Sequence, residues 1–450
     1  MFNQIAPVSN PQGQGLPTAR CVAFIINLLI WVGLSVSPSL WPSSSLAQAS
    51  DDARRASQSA QEANSLEPAK PIERELSGGQ SNSYKITMIP GQYLQVVIDQ
   101  RGIDVVVALF APDGKRIAEV DSEHQVEGSE TVSAIAEAAG AYLIEARSAE
   151  KAARAGRYGI KVKELRAATA EDRHRVAGEA LFREAERLQN GTAEAKRKSA
   201  EKYREALDSY RRASDRKAEA VTLGAIGEVY RSLGEPQKAL EKYNEALPIS
   251  QEVGDRKGEV FALNGIGVIY MSMGEPQKAL EKHNEALLII QPLGDRGEEA
   301  ATLHNIGASY SSLGETQKAL EKYNESLLLR RAMGDHNGEA RVLSNIGLVY
   351  RSLGEMQKAL EKFNECLPVS RAVGDRRMEA VTLNNIGLIY NSLGEKQKAL
   401  EKYNEALSIL RAVGDRGREG GTLNNISLVY NSLGETQKAL ETYKIGRAHV

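Results

Sequence analysis

The chain has 450 residues, with 57 basic and 59 acidic, for a formal charge of −2. A balance this even excludes a nucleic-acid binder driven by bulk charge. The two cysteines, Cys21 and Cys366, exclude a disulfide framework and a four-ligand structural zinc site.

At the N-terminus, Arg20 precedes an apolar run from Cys21 to Val36, and Ala47-Gln48-Ala49 supplies a small-x-small cleavage pattern. Residues 1–49 are therefore expected to be a signal peptide, and the chain to be exported to the periplasm or beyond the cell. The rival expectation is an uncleaved membrane anchor. Residues 50–70 are rich in Ala, Ser and Gln and read as a disordered linker.

Residues 71–166 carry short apolar stretches split by turn signals. Tyr84–Ile89, Tyr93–Asp99, Val105–Phe110, Arg116–Val120, Val132–Ala136, Tyr142–Ala146 and Tyr158–Val162 are predicted strands. Pro90-Gly91 and Pro112-Asp113-Gly114 are turn chemistry, because proline fixes φ and the following residues tolerate φ > 0. Strands at this spacing predict an antiparallel β-sandwich. Tyr93-Leu94-Gln95-Val96, Asp104–Phe110, Pro112-Asp113-Gly114 and Gly140-Ala141-Tyr142 resemble the pre-peptidase C-terminal type of sandwich. Asp99, Asp104 and Asp113 have no EF-hand spacing and read as turn and edge carboxylates.

From Ala167 the pattern is helical. Residues 167–216 form a divergent first pair, Asp172–Gln189 and Ala193–Ala213. Over 217–444, Leu-Gly-Glu recurs from Leu233, Leu313, Leu353, Leu393 and Leu433, with Met273-Gly274-Glu275 between, at a constant step of 40 residues. A fixed step of this size marks an array of one supersecondary unit. About six such units follow the divergent pair. Leu383, Ile386, Gly387 and Tyr390 share one face of a first helix, and Ala399, Leu400, Tyr403, Ala406 and Leu407 share one face of a second. Gly394 and Gly414 stop these helices, Asp415 is placed as an N-cap, and Pro236 and Pro276 start second helices.

Leu383, Ile386, Gly387, Tyr390, Ala399, Tyr403 and Ala406 resemble the tetratricopeptide pattern. The 40-residue step and the Leu383-Asn384-Asn385 and Leu423-Asn424-Asn425 stretches are similar to kinesin light chain-like repeats. The expected fold is multidomain, an all-β sandwich followed by an all-α superhelical solenoid. The order of parts also resembles the N-terminal portion of bacterial proteins ending in a caspase-like CHAT peptidase domain.

Compared with each other, the copies differ at four columns of the first helix. These read Val221, Phe261, Ala301, Arg341, Val381, Gly421; then Gly224, Asn264, His304, Ser344, Asn384, Asn424; then Glu228, Val268, Ala308, Leu348, Leu388, Leu428; and Arg231, Met271, Ser311, Arg351, Asn391, Asn431. Steps of 3, 4 and 3 place all four on one arc of the helix. Lys238 and Glu241 on the second helix barely change, which argues against drift alone. The expected ligand groove therefore contains Asn264, His304, Asn384, Asn424, Arg231, Arg351, Asn391 and Asn431. Asparagine can donate to and accept from a peptide backbone, and arginine can meet carboxylates. The expected partner is a protein or peptide segment.

No nucleophile–base set, phosphate-binding loop or metal-ligand spacing stands out, so no catalytic residue, cofactor or metal is expected. Cys366 and His283 occupy core columns. The chain is expected to be a non-enzymatic binding scaffold. The alternatives are the regulatory arm of a CHAT peptidase and a structural spacer. Residues 445–450 depart from the repeat and resemble a translated sequencing adapter, so a non-native tail on a truncated chain is expected there, with helix register broken after Tyr443.

Overall fold

The computed structural model describes residues 63–68, 70–120, 127–149 and 153–447. The expected signal peptide, most of the expected linker, Cys21, His124 and Ala448-His449-Val450 lie outside them. Among the described residues, no helix is long and apolar enough to cross a membrane.

Nine strands come first: β1 (Asn64–Ser65), β2 (Ile72–Leu76), β3 (Ser81–Met88), β4 (Gln92–Arg101), β5 (Val105–Phe110), β6 (Arg116–Val120), β7 (Glu127–Ile135), β8 (Gly140–Ser148) and β9 (Gly156–Ala167). They form two sheets, ordered β1-β3-β8-β5-β6 and β2-β9-β4-β7. All seven expected strands are present. Pairing is antiparallel except between β1 and β3. Tyr84, Ile86 and Met88 alternate inward with outward Lys85 and Thr87, the period-2 pattern of a half-buried strand. The β5 run is apolar on both faces for a reason. Val105, Val107 and Leu109 enter the core between the sheets, while Ala108 and Phe110 pack outside with Ala63 and Leu143. Two buried hydroxyls, on Tyr84 and Tyr158, satisfy each other at 2.6 Å.

The linker expectation is corrected at its C-terminal end. Asn64↔Tyr84 and Ser65↔Lys85 pair in register, and Leu66 is buried in the sandwich core. Polar composition hid two apolar residues, Ala63 and Leu66, that cap the outer face and the core.

Fourteen helices follow: α1 (Ala170–Gln189), α2 (Ala193–Arg212), α3 (Arg216–Ser232), α4 (Pro236–Glu252), α5 (Arg256–Ser272), α6 (Pro276–Leu293), α7 (Arg296–Ser312), α8 (Thr316–Met333), α9 (His336–Ser352), α10 (Met356–Ala372), α11 (Arg376–Ser392), α12 (Lys396–Ala412), α13 (Arg416–Ser432) and α14 (Thr436–Arg447). The β9–α1 join is short and ionic. Thr169 and Asp172 form a capping box, and the buried Asp172 carboxylate accepts from both ends of the Arg166 guanidinium. That guanidinium also lies 5.0 Å over the Tyr93 ring of β4.

Each later unit repeats the same local chemistry. Asp215, Asp255, Asp295, Asp335, Asp375 and Asp415 all cap first helices by accepting a backbone N–H. Gly394 (φ +81) and Gly414 (φ +70) take the left-handed turn after their helices. Inside the five pairs from α3/α4 to α11/α12, an aromatic or imidazole ring covers a glycine: an added Cβ at Gly387 would lie 2.6 Å from Tyr403, and one at Gly267 would meet His283. Between pairs, buried Glu379 accepts from Arg371 of α10 at 2.8 Å and from Arg376 of its own helix.

The expected break after Tyr443 is corrected as well. Helix α14 continues through Arg447, and buried Gly446 takes the column that Ala406 holds one unit earlier. No proline intervenes, and a small residue at that column is enough to keep the helix against α13.

Candidate ligand groove

Successive first helices touch, from α3 with α5 onward to α11 with α13, while successive second helices stand further apart. The array therefore curves with its first helices on the inside. All eight expected groove residues lie on those inner helices, but they do different things there.

The Asn264 column joins neighbouring units. Asn264 Nδ2 donates to Thr302 Oγ1 at 2.9 Å, and Asn264 Oδ1 faces His283 Nδ1 at 3.1 Å. With the amide nitrogen engaged, the oxygen must accept, so the proton sits on Nδ1 of His283. His304 Nε2 accepts from Asn345 Nδ2 at 2.8 Å, and its ring packs against Tyr323. Asn384 Oδ1 accepts from Asn425 Nδ2 at 3.1 Å and from Thr422 Oγ1 at 3.3 Å. Asn424 is exposed, and its side chain has no hydrogen-bond partner among the described residues.

The Arg231 column is mixed. Arg231 is clamped by Glu228, whose carboxylate also accepts from Tyr243, and this pairing holds the guanidinium pKa up. Asn391 Oδ1 accepts from Lys396 at 2.7 Å. Half-buried Arg351 and the exposed Asn431 side chain have no hydrogen-bond or ion-pair partner among the described residues, although the Arg351 charge acts on the Tyr403 hydroxyl.

Two buried imidazoles are held neutral. Burial lowers His283 to about 4, helped by nearby His304. Burial also lowers His304 to about 4, helped by Arg341 and Arg330. His283 Nε2 is buried without a hydrogen-bond partner. Cys366 is a buried core thiol beside the Ala340 carbonyl and Thr382 hydroxyl, and burial raises its pKa. In the sandwich, Asp99 meets Ser129 and Lys161, and Asp113 accepts from the Lys115 backbone.

Sequence comparison passed over Thr302, Asn345, Thr422 and Asn425, which complete these joins. The available signal was the recurring Thr-Leu-Asn-Asn, in which one unit's first Asn meets the next unit's Thr or second Asn. The constancy of Lys238 also has a structural cause: its ammonium lies 5.4 Å over Tyr230 and 2.7 Å from Glu235. The same contact recurs at Lys278, Lys318, Lys358, Lys398 and Lys438.

Near the last units a pocket of about 470 Å³ opens between α11 and α13, lined by Val381, Asn384, Leu410, Gly421, Thr422 and Asn424 among others.

Capped helix pairs stacked at a constant step, with an inner face of first helices, define a repeat solenoid. The sequence profile of the tetratricopeptide repeat matches residues 193–252, 259–332, 338–412 and 379–444, together more than half of the chain. The chain belongs to the tetratricopeptide repeat family. No curated protein matches it by sequence. Among solved structures, aspartyl phosphate phosphatase F from Bacillus subtilis is similar at 13% identity and TM-score 0.51, covering 62% of this chain and 72% of that one. BtubC (BKLC) from P. vanneervenii is similar at 20% identity and TM-score 0.42, covering 49% and 89%. A Rap protein complexed with competence and sporulation factor is similar at 16% identity and TM-score 0.46, covering 62% and 74%. At these identities the likeness is one of fold.

Proposed function

We propose that the array is a non-enzymatic scaffold that holds an extended peptide or protein segment along its inner face. The supporting observation is unspent hydrogen-bonding capacity on that face. Arginines elsewhere on the array, such as Arg216, Arg371 and Arg411, are paired with glutamates. Inner-face Arg341 and Arg351 have no carboxylate partner among the described residues, and the Asn424 and Asn431 side chains have no partner there either. Amides and guanidinia left half-buried or exposed on a concave surface suit peptide backbone and carboxylates. The Arg351 and Asn424 positions are two units apart, so the ligand would be extended rather than a single small group.

The N-terminal apolar run and Ala47-Gln48-Ala49 support export of this scaffold, which a reporter enzyme active only outside the cytoplasm, fused after Ser50, would test. Binding is tested by selecting random linear peptides on the full chain. Enriched peptides that lose tenfold or more in affinity on Arg351→Ala with Asn424→Ala support the reading. Failure of any linear peptide to enrich over a non-binding control removes it and leaves a spacer.

A further inference from the structure

One column of the array is broken at its first member. Glu219, Glu259, Glu299, Glu339, Glu379 and Glu419 stand at forty-residue steps near the start of the first helices. Each accepts from a residue eight positions earlier, on the second helix of the preceding unit. Arg211 donates to Glu219 at 2.9 Å, Gln251 to Glu259 at 3.0 Å and Arg411 to Glu419 at 2.7 Å. Arg216, Arg256 and Arg376, one turn earlier on the same helix, add a second donor to Glu219, Glu259 and Glu379. The carboxylate fastens each of these units to the one before it through charge-assisted or amide hydrogen bonds.

Forty-residue register puts Glu179 of α1 in this column, and both donors are missing there. Val176 stands where Arg216 stands in the next unit. The element before α1 is strand β9, and β7 packs against α1 in place of a second helix. On β7, half-buried Glu179 faces the Ser133 hydroxyl, a neutral group that already accepts from Tyr93 of β4 at 3.3 Å. The other groups around it are Arg183 and Arg175 of α1, Asp215 after α2, and Tyr210 of α2, on which Glu186 also acts. Arg175 is engaged with Asp215 at 3.0 Å and with Asp172 at 3.5 Å. Burial at the joint raises the Glu179 carboxyl to about 7, against the pull of Arg183 and Arg175. A carboxyl left in water keeps a value of about 4.3.

We infer that the contact between sandwich and array is a pH-sensitive joint, closed on a neutral Glu179 and opened when that carboxyl ionises. The closed form binds more protons than the open form between pH values of about 4.3 and 7, so closure weakens as pH rises through that window and is weakest above it. Later units show no such joint, because a guanidinium or an amide from the preceding helix meets their carboxylate.

The experiment compares the full chain with Glu179→Gln, which is neutral at every pH, and with Val176→Arg, which copies the Arg216 donor. Hydrogen exchange is read as the ratio of wild-type to Glu179→Gln rates at the same pH, so the intrinsic pH dependence of amide exchange cancels. For residues 129–135 and 172–183 the expected ratio is near one at pH 5 and tenfold or more at pH 8, with no difference over 217–444. Val176→Arg is expected to exchange as slowly as Glu179→Gln at pH 8. A ratio near one at both pH values overturns the joint. Faster exchange in Glu179→Gln than in the wild type at both also overturns it, because the ionised carboxylate would then be the form that holds β7. A Val176→Arg chain as fast as the wild type at pH 8 overturns the assignment of the opening to an unpaired Glu179 carboxylate.

Discussion

Asn264 Nδ2 donates to Thr302 Oγ1 at 2.9 Å, across the boundary between one helix pair and the next. Thr302 is fully buried, so this amide acts as a joint between units. Asn264→Ala strands the Thr302 hydroxyl and the His283 Nδ1–H, and unsatisfied buried groups of this kind cost about 1–3 kcal/mol each. Asn424→Ala removes an exposed side chain with no partner among the described residues, and surface changes of that kind fall within about 0.5 kcal/mol. Urea unfolding of the two variants should separate them by at least 1 kcal/mol. Equal midpoints would mean that the Asn264 joint contributes nothing.

How far the fold was legible follows from the same contrast. The 40-residue step, the Asp caps and the left-handed glycines are local chemistry repeated in every unit, so counting found them. The strands of the sandwich were legible wherever alternation was clean, as at Tyr84, Ile86 and Met88. Leu66 was not, because one apolar residue in a polar stretch has no period. Which asparagines are spent and which are free could not be read from columns. It depends on where Thr302, Asn345 and Asn425 of the neighbouring helix arrive, to within an ångström.

Acid should loosen the array at its middle units. His283 and His304 are held at about 4 in the folded chain, against about 6.5 when unfolded. Between those values the unfolded state binds more protons, so stability rises with pH there. The contribution is fully present above pH 6.5 and is lost as pH falls toward 4. His283→Tyr installs the residue that Tyr243 and Tyr323 place in the same column. It should flatten the decline in melting temperature between pH 6.5 and 4.5 while changing little at pH 8. A variant with the wild-type slope would assign the acid sensitivity to other groups.

The glycine columns give a prediction of opposite sign at two sites. An added Cβ at Gly387 would lie 2.6 Å from the Tyr403 ring, and that ring is fully buried, so neither side can yield cheaply. Overpacking of this kind costs about 1–3 kcal/mol. At Gly297 the nearest atom to an added Cβ is the Asp295 carboxylate at 3.5 Å, an ordinary contact. Alanine there reduces the freedom of the unfolded chain and should stabilise by up to about 1 kcal/mol. Melting temperatures moving in opposite directions are the expected outcome. A stabilised Gly387→Ala would show that the ring–glycine contact is looser than the geometry implies.

The join between sandwich and array turns on Asp172. Its buried carboxylate meets Arg166 at the end of β9, the Thr169 backbone and hydroxyl, and Arg175 one turn on. The Arg166 pair leads in holding its pKa down to about 2. A depressed carboxylate stabilises the folded state above its unfolded value of about 3.9 and loses that contribution as pH falls through 2. Arg166 is partly exposed, so solvent screening reduces the gain below what the shift alone suggests. Asp172→Asn removes the charge, leaves the Arg166 guanidinium over Tyr93, and weakens the capping box. The expected result at pH 7 is a loss of about 1–3 kcal/mol in the first helix pair, with the later units unaffected. Limited proteolysis reports it directly: cleavage between Arg166 and Arg173 should speed up while the 217–444 region stays resistant. Unchanged cleavage there would show that packing of α1 on the rest of the array, rather than this ion pair, holds the junction.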